Sequence, residues 1–160
     1  MTKIKIDSVD LRILSAIQQN GIVSKIKLAE LVNLSPTPCW ARVSRLKAAG
    51  VIKGTRGFIE LQKLGDYFHV IVTVSLRHHR KSDFERFENF VGKVDAVINC
   101  FSTGGGTDYI MEFVTPNMLS FQGLMESMLD ADLEIDRYMT FIVTKRIKSS
   151  PANLNELFKK

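Results

Sequence analysis

The chain has 160 residues, a length that suits one ordinary domain or two small ones. Hydrophobic residues make up 45% and charged residues 24%, the balance of a folded soluble protein, and no apolar run approaches the roughly 18 residues that span a bilayer. The N-terminus, Met1-Thr2-Lys3-Ile4-Lys5, is basic without an apolar signal core, which argues against secretion. Cys39 and Cys100 are too few and too far apart for a disulfide framework or a zinc cluster, so a cytoplasmic protein with reduced thiols is expected. The net charge of +5 is unevenly spread: residues 1–60 hold ten Lys/Arg against four Asp/Glu, while residues 61–160 are close to neutral. Such an excess supplies the sequence-independent part of nucleic-acid binding through counterion release. Charge alone also fits a solvated basic face with no partner.

In chain order, Asp7 or Ser8 can cap a first helix whose apolar stripe is Val9, Ile13, Leu14 and Ile17, and Asn20-Gly21 ends it. Ser24 can cap a second helix in which Ile26, Leu28, Ala29 and Val32 include the buried positions. Asn33 stands where the chain turns, in a left-handed conformation that Asn tolerates. The smallness of Ala29 lets two helices cross closely. The stretch Leu34-Ser35-Pro36-Thr37-Pro38-Cys39-Trp40-Ala41-Arg42-Val43-Ser44-Arg45-Leu46 then reads as the turn and second helix of a helix-turn-helix, the element that enters the DNA major groove. Ser35 is positioned to cap it with its hydroxyl, and Pro36 and Pro38 fall in the first turn, where a missing N–H is tolerated. Cys39, Val43 and Leu46 form the buried stripe, so Cys39 is a core residue and not a nucleophile. Trp40, beside that stripe, reads as packing more readily than as a base contact.

On the opposite side lie Thr37, Ala41, Ser44 and Ala48, small enough for close approach to base edges, flanked by Arg42, Arg45 and Lys47. The expected DNA-contacting set is Ser35, Thr37, Ala41, Arg42, Ser44, Arg45 and Lys47, with phosphate favoured at the helix N-terminus. The motif spans about residues 25–44 within a domain of residues 1–53. Residues 54–65 form a wing or a linking strand, since Val51–Lys53 and Phe58–Glu60 bracket Gly54-Thr55-Arg56-Gly57. Arg56 at its tip either reaches phosphate or is a solvated linker arginine.

Residues 66–148 alternate strand, helix, strand, strand, helix, strand. The strands are about Phe68–Leu76, Val97–Ser102, Tyr109–Val114 and Tyr138–Ile147. Ser82-Asp83-Phe84-Glu85 reads as a capping box opening a helix that buries Phe84, Phe87 and Val91, and Thr115-Pro116 starts a second with Phe121, Leu124, Met125 and Met128 at helical spacing. This βαββαβ order predicts a ferredoxin-like antiparallel sheet with both helices on one face, and an α+β protein overall. Apolar residues on both sides of the first and last strands leave the other face in need of cover, which predicts a homodimer. Two-fold symmetry then presents two recognition helices to a palindromic site. Gly104-Gly105-Gly106-Thr107-Asp108 forms either a flexible hairpin turn or a ligand cradle, whose backbone N–H groups suit a carboxylate while Asp108 receives an ammonium. His69, His78 and His79 have no metal-ligand spacing, no catalytic cluster stands out, and an enzyme is not expected. The tail, residues 149–160, is polar apart from Leu154, Leu157 and Phe158 and suits a short docking helix.

The run from Leu34 to Leu46, followed by Ala49-Gly50-Val51-Ile52, resembles the Lrp/AsnC family of transcriptional regulators, and Gly105, Asp108 and Tyr109 match that family's turn between the central strands. The resemblance covers nearly the whole chain. It implies a winged helix-turn-helix joined to a domain for effector binding and oligomerisation, dimers that often assemble into octamers, and an amino-acid-like effector near the glycine turn in place of a cofactor. The partners implied are double-stranded DNA, a second copy of the chain and a small metabolite, with a nucleoid-associated cytoplasmic setting. The sequence departs from the family where Leu133-Glu134-Ile135 replaces the usual Gly-Val, and where Glu126, Asp130, Asp132, Glu134 and Asp136 form an acidic run. That run is either an acidic rim for a cationic or zwitterionic ligand or a solvated helix end. The function expected is a sequence-specific, effector-tuned DNA-binding regulator. An architectural DNA organiser with weak sequence preference is the alternative.

Overall fold

A computed structural model describes residues 4–158. The elements in order are α1 (Ser8–Asn20), α2 (Lys25–Leu31), α3 (Pro36–Ala48), β1 (Phe68–Leu76), α4 (Lys81–Val91), β2 (Val97–Ser102), β3 (Tyr109–Thr115), α5 (Met118–Asp130), β4 (Ile135–Ile142) and α6 (Leu154–Leu157). They fall into two compact units. One runs through Ile59 and includes the tail from Lys148, and the other is Glu60–Ile147.

In the first unit, the Asp7 carboxylate caps α1 by accepting from the Asp10 N–H at 2.8 Å, and Asp10 returns the bond to the Asp7 N–H at 3.1 Å. Ser24 Oγ accepts from the Lys27 N–H at the start of α2. Asn33 turns with φ of 53°, as its place in the motif predicts. Ile13, Leu28, Ala29, Val32, Cys39, Val43 and Leu46 form one apolar cluster under α3. Ile26 lies outside it and is exposed, because residue 28 and not residue 26 shares the helix face of Ala29 and Val32. Residues 52–60 form no strand, so the segment expected as a wing or linking strand is irregular, followed by a single 3-10 turn at Leu61–Lys63. The short helix expected in the tail is α6, which packs near α1.

The second unit is a four-stranded antiparallel sheet in the order β2-β3-β1-β4, the topology the βαββαβ pattern predicts. Val70, Val72 and Val74 pair in register with Phe113, Met111 and Tyr109, and these residues pack beneath Phe87 and Val91 of α4 and Phe121, Met125 and Met128 of α5. Both helices therefore cover one face. Three boundaries differ from expectation. The α4 N-cap is Arg80 and not Ser82, and its N–H donates to Asp83, so Asp83 occupies the third helical position and not the first. Asn117, a stronger cap than Thr115, opens α5 by accepting from the Ser120 N–H. The last strand begins three residues earlier, at Ile135, and ends at Ile142, because its ladder follows β1 through an irregularity between Ser75 and Leu76.

Candidate DNA-binding surface and effector site

The recognition surface starts at the N-terminus of α3. Ser35 takes the extended N-cap conformation, yet its hydroxyl makes no capping bond. The reason is Pro38. It occupies the third helical position, whose N–H an N-cap oxygen ordinarily receives, and proline has none. Ser35 and Thr37 are exposed with their hydroxyls uncommitted, beside a helix end that favours anions. Ala41, Ser44 and Lys47 are exposed on the same helix, and the stripe Cys39, Val43 and Leu46 is buried on its other side, as predicted. Burial raises the Cys39 thiol, which keeps it protonated and inert.

Trp40 is half-buried against the apolar cluster, and its ring carries the Lys25 ammonium 4.1 Å from its centroid and the Lys47 ammonium at 5.3 Å. The ring thus packs and also gathers one cation from α2 and one from α3. Sequence reasoning missed this second role.

Arg42 and Arg45 are engaged within the chain. Arg42 Nη1 donates to Asp7 Oδ2 at 2.7 Å and to Asp10 Oδ1 at 2.9 Å, while Arg45 Nη2 donates to Asp10 Oδ2 at 2.6 Å. Arg45 Nη1 also reaches the Lys5 carbonyl at 3.2 Å. Asp10 is 1% exposed, and both arginines are partly open to solvent. The Asp10 backbone N–H, then Arg42, draw the Asp7 carboxyl down to about 2. Burial pushes Asp10 upward, but Arg45, the Asp7 N–H and Arg42 outweigh it and leave its carboxyl lowered. A recess of about 580 Å³ lies over this group, lined by Lys5, Asp7, Pro38, Ala41, Arg42 and Arg45. Sequence reasoning missed the two aspartates, although Asp7/Asp10 and Arg42/Arg45 share a three-residue spacing that two facing helices can match. Arg56 is exposed and makes no ion pair or side-chain hydrogen bond among the described residues.

In the second unit, Gly104, Gly105 and Gly106 are exposed at the β2–β3 turn, with Gly105 at φ of 125°. The flanking residues lock the turn to the sheet. The Asp108 carboxylate accepts the Leu76 N–H at 2.7 Å and lies 3.1 Å from His79 Nε2, and Thr107 Oγ1 donates to the Val74 carbonyl at 2.7 Å. Asp108 therefore bonds the backbone of β1 and not the hairpin's own donors that the turn reading assigned to it, and it ties the turn to the sheet beneath exposed Gly104–Gly106. Arg137 donates to the Gly106 carbonyl at 3.1 Å. In the acidic run, Asp132 and Glu134 adopt left-handed backbone (φ of 51° and 56°), and their carbonyls accept from Arg86 and the Arg77 N–H. Glu134 lies in the Leu133-Glu134-Ile135 stretch, and Asp132 belongs to the acidic run.

The sheet face opposite the helices carries Ile71, Phe101, Ile110, Met139 and Phe141 by register, with Phe101, Met139 and Phe141 each more than half exposed. One polar island interrupts it. Glu112 accepts from the Asn99 amide at 2.6 Å and Arg146 at 2.9 Å, and lies 2.7 Å from His69 Nε2. Burial raises the Glu112 carboxyl, but those partners outweigh it and hold it below the usual range. Among the described residues, no helix is long and apolar enough to cross a membrane, and no group of three His, Cys, Asp or Glu side chains is placed to hold a metal.

Residues 6–53 match the family model of a winged helix-turn-helix DNA-binding domain, and residues 69–153 match that of the Lrp/AsnC ligand-binding domain. The transcriptional regulatory protein DoeX of Halomonas elongata is 39% identical over 94% of this chain and 96% of its own length. The leucine-responsive regulatory protein of Escherichia coli K12 is 30% identical over 91% of this chain and 88% of its own. A transcriptional regulator of Neisseria meningitidis, solved as a complex with L-Met, superposes with a TM-score of 0.86 at 28% identity, covering 96% of this chain and all of that one. With both domain matches in order along a single chain, the protein belongs to the Lrp/AsnC family of DNA-binding transcriptional regulators.

Proposed function

We propose that the protein is a homodimeric, sequence-specific regulator that reads a palindromic DNA site with α3 and is tuned by an amino acid or a related zwitterion bound at the glycine turn. The observation that carries the reading is the surface of α3: a row of small exposed residues (Thr37, Ala41, Ser44) bordered by Lys47, Arg42 and Arg45. Ser35, Thr37, Lys47 and Arg56 anchor phosphates, with Lys25 held beside Lys47 by the Trp40 ring. Arg42 and Arg45 act from fixed positions, through the donors their aspartate partners leave free.

The exposed apolar face of the sheet supports self-association through a second copy, since Phe101, Met139 and Phe141 would otherwise be a solubility liability. The exposed backbone of Gly104–Gly106 suits a carboxylate, and the L-Met complex of the Neisseria relative supports an amino-acid ligand. The chemistry is binding and not catalysis, and its setting is the cytoplasm. The test is an affinity selection of sheared genomic DNA of the source organism at near-physiological salt, with and without a pool of amino acids. A few palindromic fragments whose set changes with the pool are expected. Uniform recovery under both conditions refutes the regulator and favours an architectural organiser.

A further inference from the structure

We infer that Asp7 and Asp10 are specificity-determining residues: they neutralise and fix Arg42 and Arg45 so that these arginines read base edges and do not serve as phosphate anchors. The inference rests on the reading that α3 enters the groove. Two guanidinium groups and two carboxylates sit within 2.6–2.9 Å of one another, so the quartet carries no net charge. A surface arginine left free would add to counterion release on any DNA, whatever its sequence. Here that contribution is cancelled where the helix would meet the groove, and charge for phosphates is left to Lys5, Lys25, Lys47 and Arg56.

The same contacts fix geometry. Asp10, buried to 1% exposure, holds one oxygen against each arginine, and the Lys5 carbonyl takes a second N–H of Arg45. Among the described residues, Nη2 of Arg42 and Nε of both arginines have no partner in the chain, so oriented donors remain at the rim of the recess shared with Ala41. A guanine edge with its two acceptors can replace water on such donors at little ordering cost. A phosphate approaching the same spot meets the field of Asp7, whose side chain is 48% exposed. The carboxylates thereby penalise generic binding and reward the matched base.

The test uses the full chain and a fragment recovered by genomic selection, compared with a random fragment of equal length over a salt series. Asp7→Ser removes the exposed charge and keeps a hydroxyl to cap α1, so the fold is retained. Its affinity for random DNA is expected to rise several-fold, its salt slope to steepen by about one, and its specific-to-random ratio to fall about fivefold or more. The double variant Asp7→Ser/Arg42→Gln, which removes one charge of each sign, is expected to restore the wild-type slope on random DNA while the ratio stays low. Proportional loss on both DNAs in Asp7→Ser would assign the quartet to holding α1 against α3 and overturn the inference, and so would unchanged binding to both. A wild-type chain with no preference for any fragment would instead refute the regulator reading itself.

Discussion

Leu46→Ala tests the link between the core and the recognition surface. Leu46 is fully buried in the cluster with Ile13, Leu28 and Val43, and its carbonyl accepts the Val51 and Ile52 N–H groups that turn the chain away from α3. Truncation removes three carbons from a site whose walls are backbone-anchored on three helices, so little collapse is available and the cost lies near about 3–4 kcal/mol. A unit of this size loses roughly 4–8 °C per kcal/mol, so its midpoint falls by about 12 °C or more. Trp40 is the single tryptophan of the chain and packs in this unit, so its fluorescence follows the N-terminal unit alone, while far-UV circular dichroism follows both. The expected result is a large downward shift of the fluorescence transition, with DNA binding lost at 37 °C and the sheet unit still melting at its own temperature. Leu46→Met, which conserves volume, is expected to cost less than about 1.5 kcal/mol. A fluorescence shift below about 1 kcal/mol for Leu46→Ala would refute the packing argument.

Three other outcomes follow from the contacts. Because Asp7 titrates at about 2 when folded, against 3.8 when free, the folded state binds fewer protons there, so its contribution is present above pH 4 and lost as pH falls toward 2. Acid unfolding monitored by Trp40 is expected to be shallower in Asp7→Asn over that window, and identical slopes would contradict it. Ser24→Ala is expected to cost about 1 kcal/mol because its hydroxyl caps α2, whereas Ser35→Ala, with no capping bond to lose, leaves the melt nearly unchanged and weakens DNA binding. Equal melting costs for the two would contradict the cap assignment. Phe141→Glu places a charge on the open sheet face and is expected to reduce the self-associated species to monomer by sedimentation, while a Thr140→Glu control on the other face is milder. Retained association in Phe141→Glu would remove that face as the interface.

Much of this architecture could be read in the sequence because periodicity and turn chemistry agree. The Cys39, Val43 and Leu46 stripe, the left-handed Asn33 and the valines of β1 each follow from a local rule that packing then obeys. The recognition surface was harder. Arg42 and Arg45 look free when α3 is considered alone, and only the approach of α1 brings Asp7 and Asp10 across a separation of more than thirty residues. Ser35 follows the capping rule in type and conformation but fails it in bonding, because Pro38 removes the donor. The boundaries of α4 and α5 differ by a few residues from the expected ones because Asp83 accepts from the Arg80 N–H, which sets the start of α4 before Ser82, and because Asn117 caps α5 in place of Thr115. The open face of the sheet gives a clear signal in composition, in the apolar residues on both sides of β1 and β4.

The most direct test of the central claim is a titration of the full-length protein against its selected fragment and against random DNA at one near-physiological salt concentration, repeated with a saturating amino-acid ligand. The account predicts a specific-to-random ratio of about 10³ or more that the ligand shifts. A ratio near one, unmoved by any amino acid, would contradict it.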